Sequence, residues 1–329
     1  MKKIICFIFA ITLNMGLVGC AQGKIQNNNM NIEVVKEENM NSIKEDAEIK
    51  EVEAKEIKTK GTENNETETV ETTSQVNSES IEDEIVDFSD CFENIDGCAV
   101  LYSPAKNQYT YYSKDKCQTQ FSPYSTFKIV STLIGLNNGV LHSKDTIMGY
   151  DGTHYPVDAW NDKLTLEEAF KSSCIWYFRK VIDTVGIDQV QNELNTLQYG
   201  NRDISEWEGS GCNPLPELNG FWLDSSLKIS PKAQVDILNN IFNNKTQFST
   251  ESIKILKNIM QTESSIGCNL YGKTGTGTSS GNAWYVGLFE KDNFTYYFAI
   301  YLDDDSKENI SGSDAKEIAE KIIEKYYLK

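Results

Sequence analysis

The sequence is poor in the residues on which many catalytic and metal sites depend. Its 329 residues include two histidines, two arginines and six prolines. Neither His142 nor His154 lies in any motif described below, which argues against a Ser-His-Asp arrangement. The cysteines and histidines show no spacing typical of a metal site, so no metal is expected. With a formal net charge of −18, the chain is also a poor candidate for binding nucleic acid.

The first twenty residues are typical of an export signal. Lys2 and Lys3 precede the apolar run 4–17, and the sequence Leu-Val-Gly-Cys then ends at Cys20. The apolar run is too short to span a membrane comfortably. The cysteine after Leu-Val-Gly resembles the lipobox of bacterial lipoproteins, which implies removal of residues 1–19 and a lipid on Cys20. An ordinary secreted protein with a chance cysteine is the alternative. In either case the mature chain is expected outside the cytoplasm, and the lipid would anchor it to the cell membrane.

Residues 20–87 are predicted to be the lipidated cysteine followed by a disordered acidic tether. Residues 21–87 include 18 acidic and 7 basic side chains, which account for −11 of the total charge. Such a segment cannot bury enough apolar surface to offset its chain entropy. The acidity therefore belongs mainly to a solvated spacer and says little about a substrate.

Aromatic and β-branched residues become frequent after the tether, and residues 88–329 suit one large domain. Strands are predicted at 97–103 and 108–113, around a Pro-Ala-Lys-Asn turn, and again at 283–290 and 294–302. Helical patterns lie between these strand pairs and after them. We therefore expect an α/β (α+β) fold in which an antiparallel sheet is built from both chain ends, with flanking helices and a helical lobe.

Two local patterns mark helix starts. Thr165 and Glu168 form a capping-box pattern, which predicts a helix that carries Ser173 and Ile175. A serine followed by a proline at Ser230 predicts the start of another helix.

The sequence Ser125-Thr126-Phe127-Lys128 is a candidate nucleophile motif. Ser125 is predicted at a helix start with Lys128 three residues later, so the two side chains share a face. A serine hydroxyl is a weak nucleophile unless a neighbour takes its proton. A lysine can do so only when burial removes its charge or chemistry makes it basic. Because Ser-x-x-Lys also occurs by chance, with the serine only capping a helix, partners elsewhere must decide.

Such a partner is Lys273-Thr274-Gly275-Thr276, just before the predicted strand 283–290. A cation, hydroxyls and a glycine at a strand edge can hold a carboxylate and let a substrate lie close to the backbone. Ser-x-x-Lys and Lys-Thr-Gly occur together in penicillin-binding proteins and β-lactamases.

Three further motifs sharpen the resemblance. They are Ser173-Cys174-Ile175, Tyr199-Gly200-Asn201 and Phe221-Trp222-Leu223. With Ser-Thr-Phe-Lys and Lys-Thr-Gly, they resemble the motifs of class D (OXA-type) serine β-lactamases from about residue 95 to the C-terminus. The resemblance implies the fold shared by serine β-lactamases and penicillin-binding transpeptidases. It also implies hydrolysis of penicillins, with cephalosporins or carbapenems as further candidate substrates, and hence β-lactam resistance.

The resemblance assigns roles to individual residues. Ser125 would form the acyl-enzyme, Lys128 carboxylated by CO₂ to N6-carboxylysine would be the general base, and Ser173 would pass a proton to the leaving nitrogen. Beyond this CO₂ no cofactor is implied. The carbamate pocket would consist of Phe127, Ile175, Trp222 and Leu223, and the indole of Trp222 would donate a hydrogen bond. The substrate-binding residues would be Tyr199, Lys273, Thr274, Gly275 and Thr276. Backbone N–H groups of Ser125 and Thr276 would form an oxyanion hole.

The chain departs from the family pattern at two places. Many class D enzymes have an arginine after Lys-Thr-Gly that binds the substrate carboxylate, but Arg179 and Arg202 both lie upstream. Residues 206–219 are extra sequence and are expected to form a longer loop near the mouth of the site.

The cysteines of the domain leave disulfide pairing open. An even set outside the cytoplasm permits 15 pairings if all six are paired. Cys174 is more simply interpreted as a packed small residue. The six are Cys91, Cys98, Cys117, Cys174, Cys212 and Cys268.

Three other functions compete with the β-lactamase interpretation. A β-lactam sensor would use the same domain but keep the acyl group; such sensors carry several membrane spans and an H-E-x-x-H protease, which this sequence lacks. A transpeptidase or carboxypeptidase is disfavoured by the apolar Ile175, where asparagine is usual. A solute-binding lipoprotein would have no reason to keep Ser125, Lys128, Ser173 and Lys273 together.

Overall fold

The computed structural model describes residues 82–277, 281–307 and 309–328. Within these ranges the strands are β1 (Glu82–Ile85), β2 (Gly97–Ser103), β3 (Gln108–Tyr112), β4 (Gln261–Thr262), β5 (Asn269–Thr276), β6 (Asn282–Lys291) and β7 (Phe294–Asp303). The α-helices are α1 (Ser89–Phe92), α2 (Lys114–Gln118), α3 (Lys128–Asn137), α4 (Leu166–Lys171), α5 (Ile175–Val185), α6 (Ile187–Leu197), α7 (Pro231–Phe242), α8 (Thr250–Met260) and α9 (Gly312–Ile322). The predicted export signal, Cys20 and the tether up to residue 81 lie outside the described residues and stay predictions.

The strands form one sheet in the order β1-β3-β2-β7-β6-β5-β4. β2 and β7 are antiparallel neighbours, with Gly97 opposite Leu302, so strands from the two ends of the chain meet inside the sheet. This confirms the predicted fold, with one difference: β1 pairs parallel to β3.

Strand β1 lies within the segment that composition predicts to be a tether. Its residues, Glu-Asp-Glu-Ile, pair with Gln108 to Tyr111, so the folded domain includes residues before 88. The structure thus places a strand of the sheet before the predicted boundary at residue 87. Composition missed the strand because backbone pairing with β3, rather than apolar burial, holds it; Ile85 is 63% exposed.

The chain enters this sheet far from Thr276, the residue that follows the Lys-Thr-Gly motif. Glu82 lies opposite Gln108, which pairs with Ser103 at the end of β2. That end of β2 lies beside Tyr297 of β7. Five residues further along β7, Leu302 pairs with Ala283 of β6, and Ala283 pairs with Thr276 of β5. At the usual rise of a strand, the rows that contain Tyr297 and Thr276 are therefore roughly 17 Å apart along the strand direction.

Both faces of the sheet are buried, which explains why β6 and β7 are continuously apolar rather than alternating. One face, with Trp284, Val286 and Tyr297, packs on the helical block that contains α3, α5, α7 and α8. The other face, with Phe298 and Ile300, packs on α1 and α9. Among the described residues, no helix combines the length and apolarity needed to cross a membrane.

The helix starts follow the sequence closely, with one correction. The side chain of Thr165 accepts from the backbone N–H of Glu168 in a complete capping box, and Ser230 caps α7 through Ala233. The predicted helix from Thr165 does not, however, continue through Ser173. α4 ends at Lys171 and α5 begins at Ile175. Ser173 has a φ of 56°, a left-handed conformation that no α-helix accommodates.

Candidate active site

The nucleophile motif forms a tight turn that leads directly into a buried helix. Tyr124–Phe127 is a 3-10 helix, and α3 continues it from Lys128. The α-helix therefore begins three residues after the predicted start at Ser125, and Ser125 lies in the 3-10 turn that precedes it. The Lys128 Nζ donates to Ser125 Oγ over 3.0 Å, so the predicted sharing of one face is confirmed. Ser125 itself is half-buried, which leaves its hydroxyl accessible from one side.

Lys128 is an unusual ionisable group, because its side chain is fully buried. Burial lowers its pKa to about 7, partly opposed by the nearby thiol of Cys174. Its Nζ lies 5.4 Å from the centroid of the Phe178 ring. Desolvation penalises the ammonium form, so much of this lysine is a neutral amine at neutral pH. A neutral amine can accept a proton or react with CO₂.

An aromatic stack surrounds the turn that carries Lys128. Phe127 stacks on Trp222 with ring centroids 5.5 Å apart and contacts the edges of Phe221 and Tyr199. The indole Nε1 of Trp222 is buried and has no hydrogen-bond partner in the described structure. An unsatisfied buried donor costs free energy, so Trp222 offers a hydrogen bond to an acceptor that reaches this pocket.

The other two predicted pocket residues occupy the same core. Ile175 is the first residue of α5 and packs, half-buried, against this core. Leu223 follows Trp222 in the chain and is buried in the same core. Phe178, one turn further along α5, was not foreseen as a neighbour of Lys128. Its only sequence signal is its place on the apolar face of that helix.

A second hydroxyl–lysine pair lies at the other predicted motifs. The Nζ of Lys273 donates to Ser173 Oγ and to the carbonyl of Thr274 over 3.1 Å. Burial lowers the pKa of Lys273 well below its ordinary value, and the charge of Lys128 lowers it further. Ser173 and Lys273, distant by 100 residues in sequence, therefore form one polar contact.

Strand β5 lies directly against the nucleophile turn. A Cβ on Gly275 would stand 3.2 Å from Pro123 O and 3.4 Å from Ser125 N, so a larger residue would disturb this approach. β4 covers only Leu270 and Tyr271 of β5. The outer edge of residues 273–276 is thus left for a ligand beside Ser125, and Thr276 is exposed.

The first turn of α9 closes the other side of this strand. The backbone N–H of Gly312 donates to Thr276 Oγ1 over 2.9 Å, and a Cβ on Gly312 would stand 2.6 Å from that of Thr274. This close contact leaves no room for a long side chain at residue 312. The two arginines lie elsewhere: Arg179 bonds to Asp183 and Glu208, and Arg202 is exposed upstream.

One predicted substrate contact is wrong. Tyr199 is fully buried and packs behind Phe127, so it supports the nucleophile turn and does not reach a substrate. Gln234, which the sequence did not indicate, supports the same turn by donating to Thr126 Oγ1 over 2.9 Å.

The cysteines are the remaining group of candidate residues. All six cysteines of the domain are free thiols, and Cys174 is buried as expected. Across the described ranges, no group of three or more His, Cys, Asp or Glu side chains is arranged to hold a metal ion.

Residues 97–324 match the family model for the penicillin-binding protein transpeptidase domain. Among curated proteins, the chain is 33% identical to the probable β-lactamase YbxI of Bacillus subtilis, over 77% of this chain and 86% of that protein. It is 31% identical to β-lactamase OXA-1 of Escherichia coli, over 68% and 82%.

The regulatory protein BlaR1 of Bacillus licheniformis is 34% identical over 74% of this chain, but the match spans only 39% of BlaR1. Solved structures agree with both groups. The C-terminal domain of the Bacillus licheniformis BlaR penicillin receptor has a TM-score of 0.68 at 33% identity, covering 76% of this chain and 98% of that domain. A class D β-lactamase from Bacillus subtilis has a TM-score of 0.66 at 33% identity, covering 73% and 95%.

Proposed function

The chain belongs to the penicillin-binding transpeptidase family, among the class D β-lactamases and the related penicillin receptors, and from this premise we propose that it hydrolyses β-lactam antibiotics as a class D serine β-lactamase. The observation that carries the proposal is the hydrogen bond from the fully buried Lys128 to Ser125 Oγ. It couples a nucleophile to a group whose pKa, lowered to about 7, leaves a substantial fraction of it uncharged at neutral pH. Penicillins are the expected substrates, with cephalosporins or carbapenems as further candidates.

Acylation follows from the placement of the two hydroxyl–lysine pairs. Ser125 Oγ attacks the lactam carbonyl carbon while its proton leaves toward the end of the Lys128 side chain. The C–N bond of the lactam then breaks, and Ser173, held by Lys273, delivers a proton to the nitrogen. Backbone N–H groups of Ser125 and Thr276 would stabilise the negative charge on the carbonyl oxygen.

Substrate binding would use the exposed edge of β5. The hydroxyls of Thr274 and Thr276 can donate to the substrate carboxylate. An approaching carboxylate also favours the charged form of Lys273, whose pKa is lowered in the free protein. The protein thereby gains a cation when an anionic substrate arrives.

The surroundings of Lys128 fit a lysine carbamate formed with CO₂. The amine has a lowered pKa, which carbamate formation requires, and Trp222 offers a buried N–H that lacks an acceptor. When formed, this group would supply a general base, to receive the Ser125 proton and to activate the water that releases the acyl group. The protein residues that would hold it are Lys128, Trp222 and the apolar rings of Phe127 and Phe178.

A penicillin sensor is the second candidate, and the similarity to the BlaR receptor domain supports it. A sensor would be acylated at Ser125 but would retain the acyl group. The two functions therefore differ in the fate of one ester bond.

Turnover of a chromogenic cephalosporin by the full chain distinguishes the two candidates. Steady hydrolysis over many equivalents supports the enzyme, and one burst equal to the protein concentration supports the sensor. Ser125→Ala is the control and should show neither. Hydrolysis that persists in this control would remove Ser125 from the mechanism.

We also propose that the mature chain works outside the cytoplasm, anchored to the membrane by a lipid on Cys20. This rests on the lipobox alone, because Cys20 lies outside the described residues.

A further inference from the structure

The extra residues 206–219 pack against the aromatic stack of the active site, although no predicted catalytic residue lies among them. The Trp207 ring stacks on Phe221 with centroids 5.2 Å apart. Phe221 in turn contacts Trp222 at 5.0 Å and Phe127 at 5.3 Å. Trp207 is therefore the outer layer of the stack whose inner layer surrounds Lys128.

Arg179 on α5 contacts both the backbone and the ring of Trp207. Its side chain is only 6% exposed. The guanidinium donates to the Trp207 carbonyl over 2.7 Å, to Glu208 over 3.0 Å and to Asp183 over 2.8 Å. It also lies 5.5 Å from the Trp207 ring, and the Trp207 Nε1 donates to Asp183 over 3.1 Å. The planar, forked guanidinium serves all of these contacts at once, which a lysine ammonium cannot do.

Residues 206–209 also contact the chain on both sides of Trp222. Gly209, with a φ of 75°, approaches so closely that an added Cβ would stand 2.5 Å from Gly220 N. On the far side, Ser225 Oγ donates to Glu206 over 2.6 Å. The segment 220–225 is thus fixed to residues 206–209, and these are fixed to α5.

We propose that Arg179 and Trp207 are positioning residues that clamp the segment bearing Trp222 onto α5, and thereby maintain the CO₂ adduct on Lys128. Neither residue contacts the reacting atoms. The clamp holds the indole N–H of Trp222 at a fixed position and keeps water from the outer side of the stack. The proposal rests on the proposed carbamate and names the residues that sustain it in this chain.

The test measures CO₂ binding directly. The full-length protein is titrated with ¹³C-bicarbonate at one pH, and the carbamate carbon is followed by NMR. Arg179→Lys keeps the positive charge but loses the planar, forked guanidinium group, and Trp207→Ala removes the aromatic ring. Both should raise the half-saturating bicarbonate concentration about tenfold, by analogy with metal sites, where loss of an outer-shell partner weakens metal binding by at least about that factor.

Two further variants separate positioning from general damage. Trp207→Phe keeps the stacking on Phe221 and should lie between wild type and Trp207→Ala. Arg202→Lys alters the other arginine, which is exposed, and should titrate as wild type. If Trp207→Ala does not fold, the bicarbonate titrations of Arg179→Lys and Trp207→Phe test the clamp on their own.

Saturating bicarbonate should restore the hydrolysis rate of Arg179→Lys, because its catalytic groups are intact; a merely structural defect would not be rescued. Two results would overturn the clamp. The first is a half-saturating bicarbonate concentration equal to that of wild type in both Arg179→Lys and Trp207→Phe. The second is a loss of hydrolysis rate that saturating bicarbonate does not restore. A wild-type protein that takes up no label refutes the carbamate, and the clamp with it, but leaves acylation of Ser125 untouched.

Discussion

Replacing Lys128 with methionine should make the protein more stable while abolishing turnover. Lys128 is fully buried and its pKa is lowered to about 7 from 10.5. The unfolded chain therefore binds more protons than the folded one between these two pH values, and this lysine costs stability. Methionine has a similar length, no charge and adaptable packing, so it can fill the same space.

The size of the effect follows from the pKa difference. At 1.36 kcal/mol per pKa unit, burying this lysine costs about 4 kcal/mol at pH 7 and about 2 kcal/mol at pH 9. The hydrogen bond to Ser125, lost in the variant, offsets about 1 kcal/mol. We therefore expect Lys128→Met to raise the free energy of unfolding by about 3 kcal/mol at pH 7 and about 1 kcal/mol at pH 9.

The measurement is urea unfolding in CO₂-free buffer at both pH values. Removing CO₂ matters because a ligand that binds only the folded wild type would stabilise it and mask the difference. Lys163→Met is the matched control, since Lys163 is exposed, and it should not reproduce the gain in stability. A Lys128→Met protein that is less stable than wild type at pH 7, or a difference that does not shrink on going to pH 9, would refute the assignment of Lys128 as a buried amine with a lowered pKa.

Three other predictions concern function and location. Ser125→Ala should lose covalent labelling by penicillin in intact-protein mass spectrometry while keeping its circular dichroism spectrum, and an adduct mapped to another serine would contradict its role. Hydrolysis by the wild type should fall as the pH drops through about 7, because the neutral amine needed for carbamate formation is lost; added bicarbonate should shift that fall to lower pH, and a rate indifferent to bicarbonate after degassing would argue for another base. Cys20→Ser should release the protein from membranes into the medium, and a variant that still fractionates with membranes would rule out the lipid anchor.

The parts of the site that could be predicted from sequence are those fixed by local spacing. Ser125 and Lys128 meet because three residues nearly complete a helical turn, and Thr165 caps α4 because its partner lies three residues on. Both relations hold whatever the rest of the chain does.

The parts that could not be predicted depend on the tertiary environment. Nothing local distinguishes Ser173 in its left-handed conformation from a serine within a continuous helix. Tyr199 belongs to a motif associated with the site, but its burial is decided by Phe127 packing in front of it. The clamp of Arg179 on Trp207 joins residues 28 positions apart, and no sequence pattern in either segment predicts a contact with the other.

The position of β1 has a practical consequence for handling the protein. Because Glu82 enters the sheet at the end opposite Thr276, anything attached upstream of β1 joins the domain away from the serine cleft. A bead, electrode or fluorescent carrier coupled there should leave the cleft open to small molecules. Coupling through the exposed Cys212 thiol would instead load the segment that holds Trp222. The N-terminal side is therefore the attachment point of choice for a surface-bound β-lactam detector built from this chain.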